Sequence, residues 1–264
     1  AEALKVGAKG IKKTRLLNQL FCELDEGQVR KLSTVPGLKV KPVKEFRADQ
    51  VVMQAAALPR TETPSEVFYL LRSYFTPPLT GTGLTVAVLD SGIRSSHEAL
   101  ENKVVYEKNC TESPGAGDVF GHGTGVAHVI AGGMHAPGQE AGVSPGACLM
   151  NIKVISDEGR GTDESIVLGI DEVCDLVSTA RKSGLLPSDD MFPNVINMSL
   201  GAPDDGDPDN PVRTACREAS RDYGIDVVAA AGNFGPKMTT MMLPACEPEV
   251  IAVGAIETLD FLIW

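Results

Sequence analysis

The chain has 264 residues, 43% of them hydrophobic and 22% charged, with a net charge of −11. These proportions are globular and not those of a disordered chain, no apolar run approaches the ~18 residues of a membrane span, and the acidic balance argues against nonspecific nucleic-acid binding. One to two domains fit the length.

Leu16 to Leu24 reads as a strand, Asp25 as a helix N-cap, Glu26 to Leu32 as a short helix, and Leu38 to Val43, after the Pro36-Gly37 turn, as a second strand. Together they predict a small βαβ-like unit. Residues 48–66 hold two prolines and many small side chains and read as a linker. From Gly81 the rhythm changes. Leu84 to Leu89 is a continuous apolar strand of the kind buried on both faces of a parallel sheet, and Cys148 to Val154 is another. Thr162 caps a helix whose Ile166, Ile170, Val173, Cys174 and Val177 recur at helical spacing, with Arg181, Lys182 and Gly184 closing it. Strands at Val195–Met198, Ile225–Ala230 and Val250–Val253 surround a helix from Val212 to Arg221. Strands alternating with helices predict a doubly wound parallel α/β sheet preceded by a small α+β unit.

Charge divides along the same line. Residues 1–58 carry 11 Lys+Arg against 6 Asp+Glu, a net of +5, which leaves 13 against 29, a net of −16, from the totals of 24 and 35. A basic leader and an acidic body of this kind attract each other. The six cysteines show no CxxC and no zinc-like spacing, a chain of this length needs no disulfide framework, and Cys148 and Cys174 read as core thiols. The start, Ala1-Glu2-Ala3-Leu4-Lys5, has no apolar segment typical of a signal peptide, and the compartment stays open.

Ligands of open α/β sheets bind beyond the carboxyl ends of the strands. Asp90-Ser91-Gly92 follows the first long strand, Gly121-His122-Gly123-Thr124 opens a helix, Ser199-Leu200-Gly201 follows the Val195 strand, and Ala231-Gly232-Asn233 follows the Ile225 strand. An acid, an imidazole and a carboxamide thus reach one edge. A carboxylate can orient a histidine, the histidine can serve as general base, and an amide can donate to a developing oxyanion.

These segments, Val86–Ile93, Gly121–Thr124, Asn197–Gly201 and Ala229–Asn233, resemble the subtilisin-like serine proteases in order, spacing and context, over roughly residues 65–260. Residues 16–46 resemble that family's inhibitory propeptide. The resemblance implies a serine endopeptidase with residues 1–58 as propeptide-like domain and linker and 59–264 as catalytic domain. Asp90 and His122 become acid and base of the triad, Asn233 the oxyanion donor, and Ser199, Leu200 and Gly201 the strand that pairs with a polypeptide substrate. Two departures stand out: Gly125 replaces the family's usual second histidine, and no Gly-Thr-Ser occurs, so the nucleophile is absent from these residues. A truncated or nicked chain, with a second chain carrying the serine, fits better than a pseudoprotease, and the chain alone is expected to be inactive. Gly142-Val-Ser144-Pro145-Gly146 imitates a nucleophile elbow, but Pro145 lacks the needed N–H.

The competing reading is an inert pseudoprotease or a binding or inhibitory module. A nucleotide site is rejected because Gly81-Thr82-Gly83 precedes its strand. No cofactor is required and no metal ligand is assigned. The loop Asp204–Asn210 is rich in oxygen ligands and reads first as a solvated acidic turn, with structural calcium as the alternative. Asp204 lies three residues past Gly201, where the kexin- and furin-like branch carries acids, and would favour a basic residue before the scissile bond. Self-cleavage between Arg60 and Thr61 would then be the maturation step. The leader is expected to pack on the body, with the chain after Phe46 adding a strand beside Ser199–Gly201.

Overall fold

A computed structural model of the protein describes residues 2–17, 19–48, 79–133, 141–235 and 240–255. The strands, in chain order, are β1 (Lys9–Lys13), β2 (Leu20–Glu23), β3 (Glu45–Ala48), β4 (Thr85–Asp90), β5 (Val104–Asn109), β6 (Cys148–Lys153), β7 (Arg160–Thr162), β8 (Val195–Met198), β9 (Leu200–Pro203), β10 (Asp226–Ala230), β11 (Met242–Leu243) and β12 (Ile251–Val253).

Six of them form one sheet in the order β12-β10-β8-β4-β6-β5, with every neighbouring pair parallel. The chain leaves β4 toward β5 and β6 on one side and returns to lay β8, β10 and β12 on the other. The reversal falls at β4, whose last residue is Asp90, so the topology puts this carboxylate at the point where such sheets open a crevice.

Strand alternation sorts β4 onto two cores. Ala87 and Leu89 face the larger one, with Ile166, Ile170, Val173 and Val177 of the Asp163–Lys182 helix and Ala215 and Ala219 of the Pro211–Tyr223 helix. Val88 faces the smaller one, with Ala127 and Ala131 of the His122–Ala131 helix. Leu89, Ile152, Ile166 and Ile170 are all fully buried, and each such side chain contributes roughly 1.5–3 kcal/mol of transfer free energy. The helix ends follow their sequence signals. Thr162 and Ser165 form a capping box, and the Asn210 side chain accepts from Val212 and Arg213 just before Pro211.

The leader differs from its expected form. The strand read over Leu16–Leu24 contracts to Leu20–Glu23, because residues before it turn: the Thr14 hydroxyl donates to Leu17 O at 2.6 Å, and Asp171 of the body accepts the Arg15 and Leu16 N–H groups. β2 pairs antiparallel with β1, which lies outside the expected unit, so the leader is a hairpin followed by a helix and not a βαβ unit. That helix, Glu26–Ser33, has an Asp25–Gln28 capping box. The second strand expected at Leu38–Val43 does not form. Pro42 has no N–H to give a ladder, and Lys39 and Lys41 turn to the body instead.

Strand pairing resumes three residues past that proline. β3 enters a second sheet, of order β11-β9-β3-β7, and pairs antiparallel with both flanking strands: Arg47 and Ala48 lie opposite Gly201 and Leu200, and Phe46 lies opposite Gly161. The strand expected beside Ser199–Gly201 is therefore present, beginning one residue before Phe46. Phe46 is fully buried in the larger core, joining leader and body in one hydrophobic cluster. The expected domain boundary at 58/59 and the Arg60–Thr61 bond lie outside the described residues.

Candidate active site

His122 opens its helix at the carboxyl end of β4, and Nδ1 lies 2.8 and 3.0 Å from the two oxygens of the fully buried Asp90 carboxylate. Asp90 Oδ1 also accepts the Ser91 N–H at 2.6 Å. The ring is thereby fixed through its δ nitrogen.

What places the helix start is a second acid. The N-cap residue, Gly121, has a φ of +97° and no side chain with which to cap. Asp118 supplies the missing acceptor: Oδ1 accepts the Gly121 N–H at 2.7 Å and the Ser91 hydroxyl at 2.9 Å, while Oδ2 accepts the Thr124 N–H at 2.8 Å and its hydroxyl at 2.6 Å. Ser91 Oγ in turn accepts the Gly123 N–H at 2.9 Å. One nearly buried carboxylate thus ties the end of β4 to the first turn of the His122 helix, where the helix dipole also favours negative charge.

The contact is tight enough to demand glycine. A Cβ on Gly123 would sit 2.1 Å from Gly92 O, and one on Gly92, whose φ is +107°, would sit 2.4 Å from Ala116 O. Beneath them, Lys153, in register with Asp90, is fully buried; its ammonium donates to Ser91 O and pairs with Asp157 at 3.0 Å. Neither Asp118 nor Lys153 was singled out by sequence reasoning. The signal for Asp118 was its position three residues ahead of the glycine that caps a helix; a lysine closing an apolar strand was the signal for Lys153.

Asn233 and Gly201 line one cavity of about 580 Å³ together with Phe120, Ala202 and the leader residues Arg47 and Ala48. The structure therefore brings the expected carboxamide and the expected substrate-pairing strand to the same cavity, and the leader strand sits in it. Leu200 is buried, and the Ser199 hydroxyl accepts from Asn197 Nδ2 at 3.2 Å. Docking of the leader is reinforced where β3 begins. The Lys44 N–H donates to Asp163 Oδ2 at 2.9 Å, and the Asp163 N–H donates to Lys44 O at 3.0 Å. Burial there pushes the Asp163 carboxyl up to about 6.

The acidic loop resolves into two kinds of contact. Asp204 faces Arg213 at 3.7 Å and accepts the Gly206 N–H at 3.1 Å, so its charge is shared within the body. Asp205, Asp207 and Asp209 face Lys44, Lys41 and Lys39 of the leader. Among the described residues no three His, Cys, Asp or Glu side chains converge as metal ligands, and no helix is long and apolar enough to cross a membrane. Cys174 is buried as expected, whereas Cys148 is only half-buried. All six cysteines are free thiols, and burial pushes Cys110 up to about 12 and Cys246 up to about 11. Ser144 lies in a loop, its N–H donating to Ile130 O at 2.8 Å.

Comparison with known proteins identifies the family. The family described as "Subtilase family" matches residues 81–260. The chain is similar to the "Major intracellular serine protease" of Bacillus subtilis (strain 168), with 36% identity over 185 residues, covering 67% of this chain and 52% of that protein. It is similar to "Serine protease AprX" of the same organism, at 35% identity over 68% of this chain and 39% of that protein. To "Subtilisin DY" of Bacillus licheniformis it is 37% identical, over 67% of this chain and 58% of that protein. The chain thus spans about 40–60% of the length of these relatives. With a six-stranded parallel sheet carrying an acid and a histidine at its switch point, and a family match over most of its length, the chain belongs to the subtilases.

Proposed function

We propose that the protein is a serine endopeptidase in which Asp90, His122 and Asn233 carry acid, base and oxyanion-donor roles, and in which the attacking serine lies outside residues 1–264. The observation that carries this reading is the bond from His122 Nδ1 to a buried carboxylate at the switch point of the sheet. Asp90 fixes the tautomer and stabilises the imidazolium. His122 Nε2 then takes the serine proton as the hydroxyl attacks the substrate carbonyl, and returns it to the leaving amine. The Asn233 amide donates to the oxygen on which negative charge develops. Substrate backbone pairs with Ser199–Gly201, the edge that Arg47 and Ala48 occupy here.

Residues 1–58 act in this reading as an intramolecular inhibitor whose strand fills the substrate position, and separation near Arg60–Thr61 relieves it. The test is hydrolysis of a quenched fluorescent peptide by the full-length protein. Turnover that disappears with His122→Ala supports the proposal. A folded full-length protein that cleaves no peptide after the leader is removed overturns it.

A further inference from the structure

We propose that the loop Asp204–Asn210 is a binding site for a basic polypeptide segment, continuous with the cleft and reading lysine or arginine side chains upstream of the docked strand. Its use on substrates rests on the endopeptidase reading above; its use as a binding site does not.

Two acids of the loop are tied to its own backbone. Asp205 Oδ1 accepts the Asp207 N–H at 3.1 Å, and Asp207 Oδ1 accepts the Asp209 N–H at 3.0 Å. These local bonds hold the Asp205 and Asp207 carboxylates by one oxygen and leave Oδ2 turned outward. In all three cases it is Oδ2 that meets a lysine. Lys44 reaches Asp205 at 2.6 Å, Lys41 pairs with Asp207, and Lys39 reaches Asp209 at 2.8 Å. One occupant is therefore visible: a stretch of this chain's own leader, Lys39-Val40-Lys41-Pro42-Val43-Lys44, lies against the loop with three ammonium groups on three alternate acids. Lys44 adds a contact to Pro203 O at 3.3 Å and Lys41 one to Asp209 O at 3.4 Å.

The geometry also says what else fits. The loop grows directly out of β9, whose Gly201 and Leu200 pair with Arg47 and Ala48. A polypeptide docked on β9 in the direction of β3 therefore carries its preceding residues across the acids. Cations one, four and six residues before such a strand would occupy the places of Lys44, Lys41 and Lys39. Charge-assisted bonds to fixed carboxylates select them over neutral side chains, and exposure of the loop makes the selection sensitive to salt.

Two measurements on the full-length protein test this. In the first, the leader lysines are neutralised (Lys39→Gln, Lys41→Gln and Lys44→Gln together), which vacates the loop without touching β3. A fluorescein-labelled octapeptide with the sequence of residues 37–44 is then titrated at low salt. Expected is binding about tenfold tighter than to the wild-type chain, whose own lysines fill the loop, and about tenfold tighter than to the same variant carrying also Asp205→Asn, Asp207→Asn and Asp209→Asn, with the gain erased at about 0.5 M salt. Equal binding to all three chains overturns the site. In the second, two peptide substrates share one cleaved core and differ upstream only in three lysines or three glutamines at the leader's spacing. A several-fold lower KM for the lysine substrate at similar kcat supports the proposal, and equal KM values contradict its use on substrates. Cleavage of neither peptide counts against the endopeptidase reading, and the binding measurement then decides the loop by itself.

Discussion

The two places where this chain meets itself most closely are built on opposite principles. At the Asp90–His122 junction the charged groups are buried, one carboxylate gathers four donors, and glycines let backbone touch backbone. At the Lys39–Lys44 contact with Asp205–Asp209 the same chemistry lies at the surface: the Lys39 and Asp209 side chains are 74% and 63% exposed. Buried networks are costly to break because each orphaned group loses its solvent as well. Exposed pairs exchange one hydrated state for another and are screened by salt. The difference separates a rigid junction around His122 from a leader contact that salt can loosen.

The largest effect is expected from closing the tight contact. Gly123→Ala puts a methyl group 2.1 Å from Gly92 O, a backbone atom that cannot yield like a side chain. A loss of several kcal/mol in urea unfolding, on the order of an overpacked core substitution, is expected, together with loss of peptide hydrolysis by the full-length protein. An alanine variant of normal stability would show that the junction is looser than its distances indicate.

Asp118→Ala comes next. It orphans the Gly121 and Thr124 N–H groups and two hydroxyls at a helix start, which predicts about 2–3 kcal/mol of destabilisation. Asp118→Asn keeps one acceptor and is expected to fall between. If both variants unfolded at the wild-type urea midpoint, the carboxylate would not be what anchors the His122 helix.

Salt sharpens the comparison directly. Hydrogen exchange of the Glu45–Ala48 amides is expected to accelerate several-fold between about 0.05 and 0.5 M salt, because only the leader contact depends on exposed pairs. Amides of β4 are expected to stay unchanged. Equal acceleration in both strands would remove the distinction.

The smallest effect concerns pH. The Asp163 carboxyl, facing Lys44, Asp205 and Lys41, is raised from 3.8 to about 6 by burial. A group raised on folding contributes stability that is complete below about 3.8 and is lost as pH rises through about 6. Asp205, Asp207 and Asp209 are lowered; burial opposes the shift at Asp205, and the bonds from Lys44, Lys41 and Lys39 lead it, joined at Asp205 and Asp207 by N–H donors of the loop. Their contributions run the other way, present above the usual carboxylate range and lost in acid. Protection of β3 is therefore expected to be greatest near about pH 4 and to decline toward about pH 6. Asp163→Asn should flatten its decline between about pH 4 and 6, and an unchanged slope would assign that decline to another group.

The carboxyl-end edge of the sheet was legible in the sequence because its signals are local. Val86–Asp90, Val195–Met198 and Val228–Ala230 are apolar runs that end in Asp90, Ser199 and, after two small residues, Asn233, and the parallel sheet aligns those ends. The leader was harder. Its strand is set by partners more than a hundred residues away: Arg47 by Gly201, and Lys44 by Asp163. The apolar look of Leu38–Val43 was outweighed by Pro42 and by the pull of the acids on Lys39 and Lys41. Short strands such as β7, β9 and β11 exist only through pairing and carry no periodicity to read. Asp118 escaped because its role is defined by a cap that Gly121 does not provide.

The most direct measurement is labelling of the full-length protein, leader removed, by a fluorophosphonate probe, followed by mapping of the modified residue. The account predicts modification of a serine outside residues 1–264, abolished by His122→Ala, and no modification of the 264-residue chain alone. A label on a serine within those residues, Ser144 included, or labelling that survives His122→Ala undiminished, would contradict it.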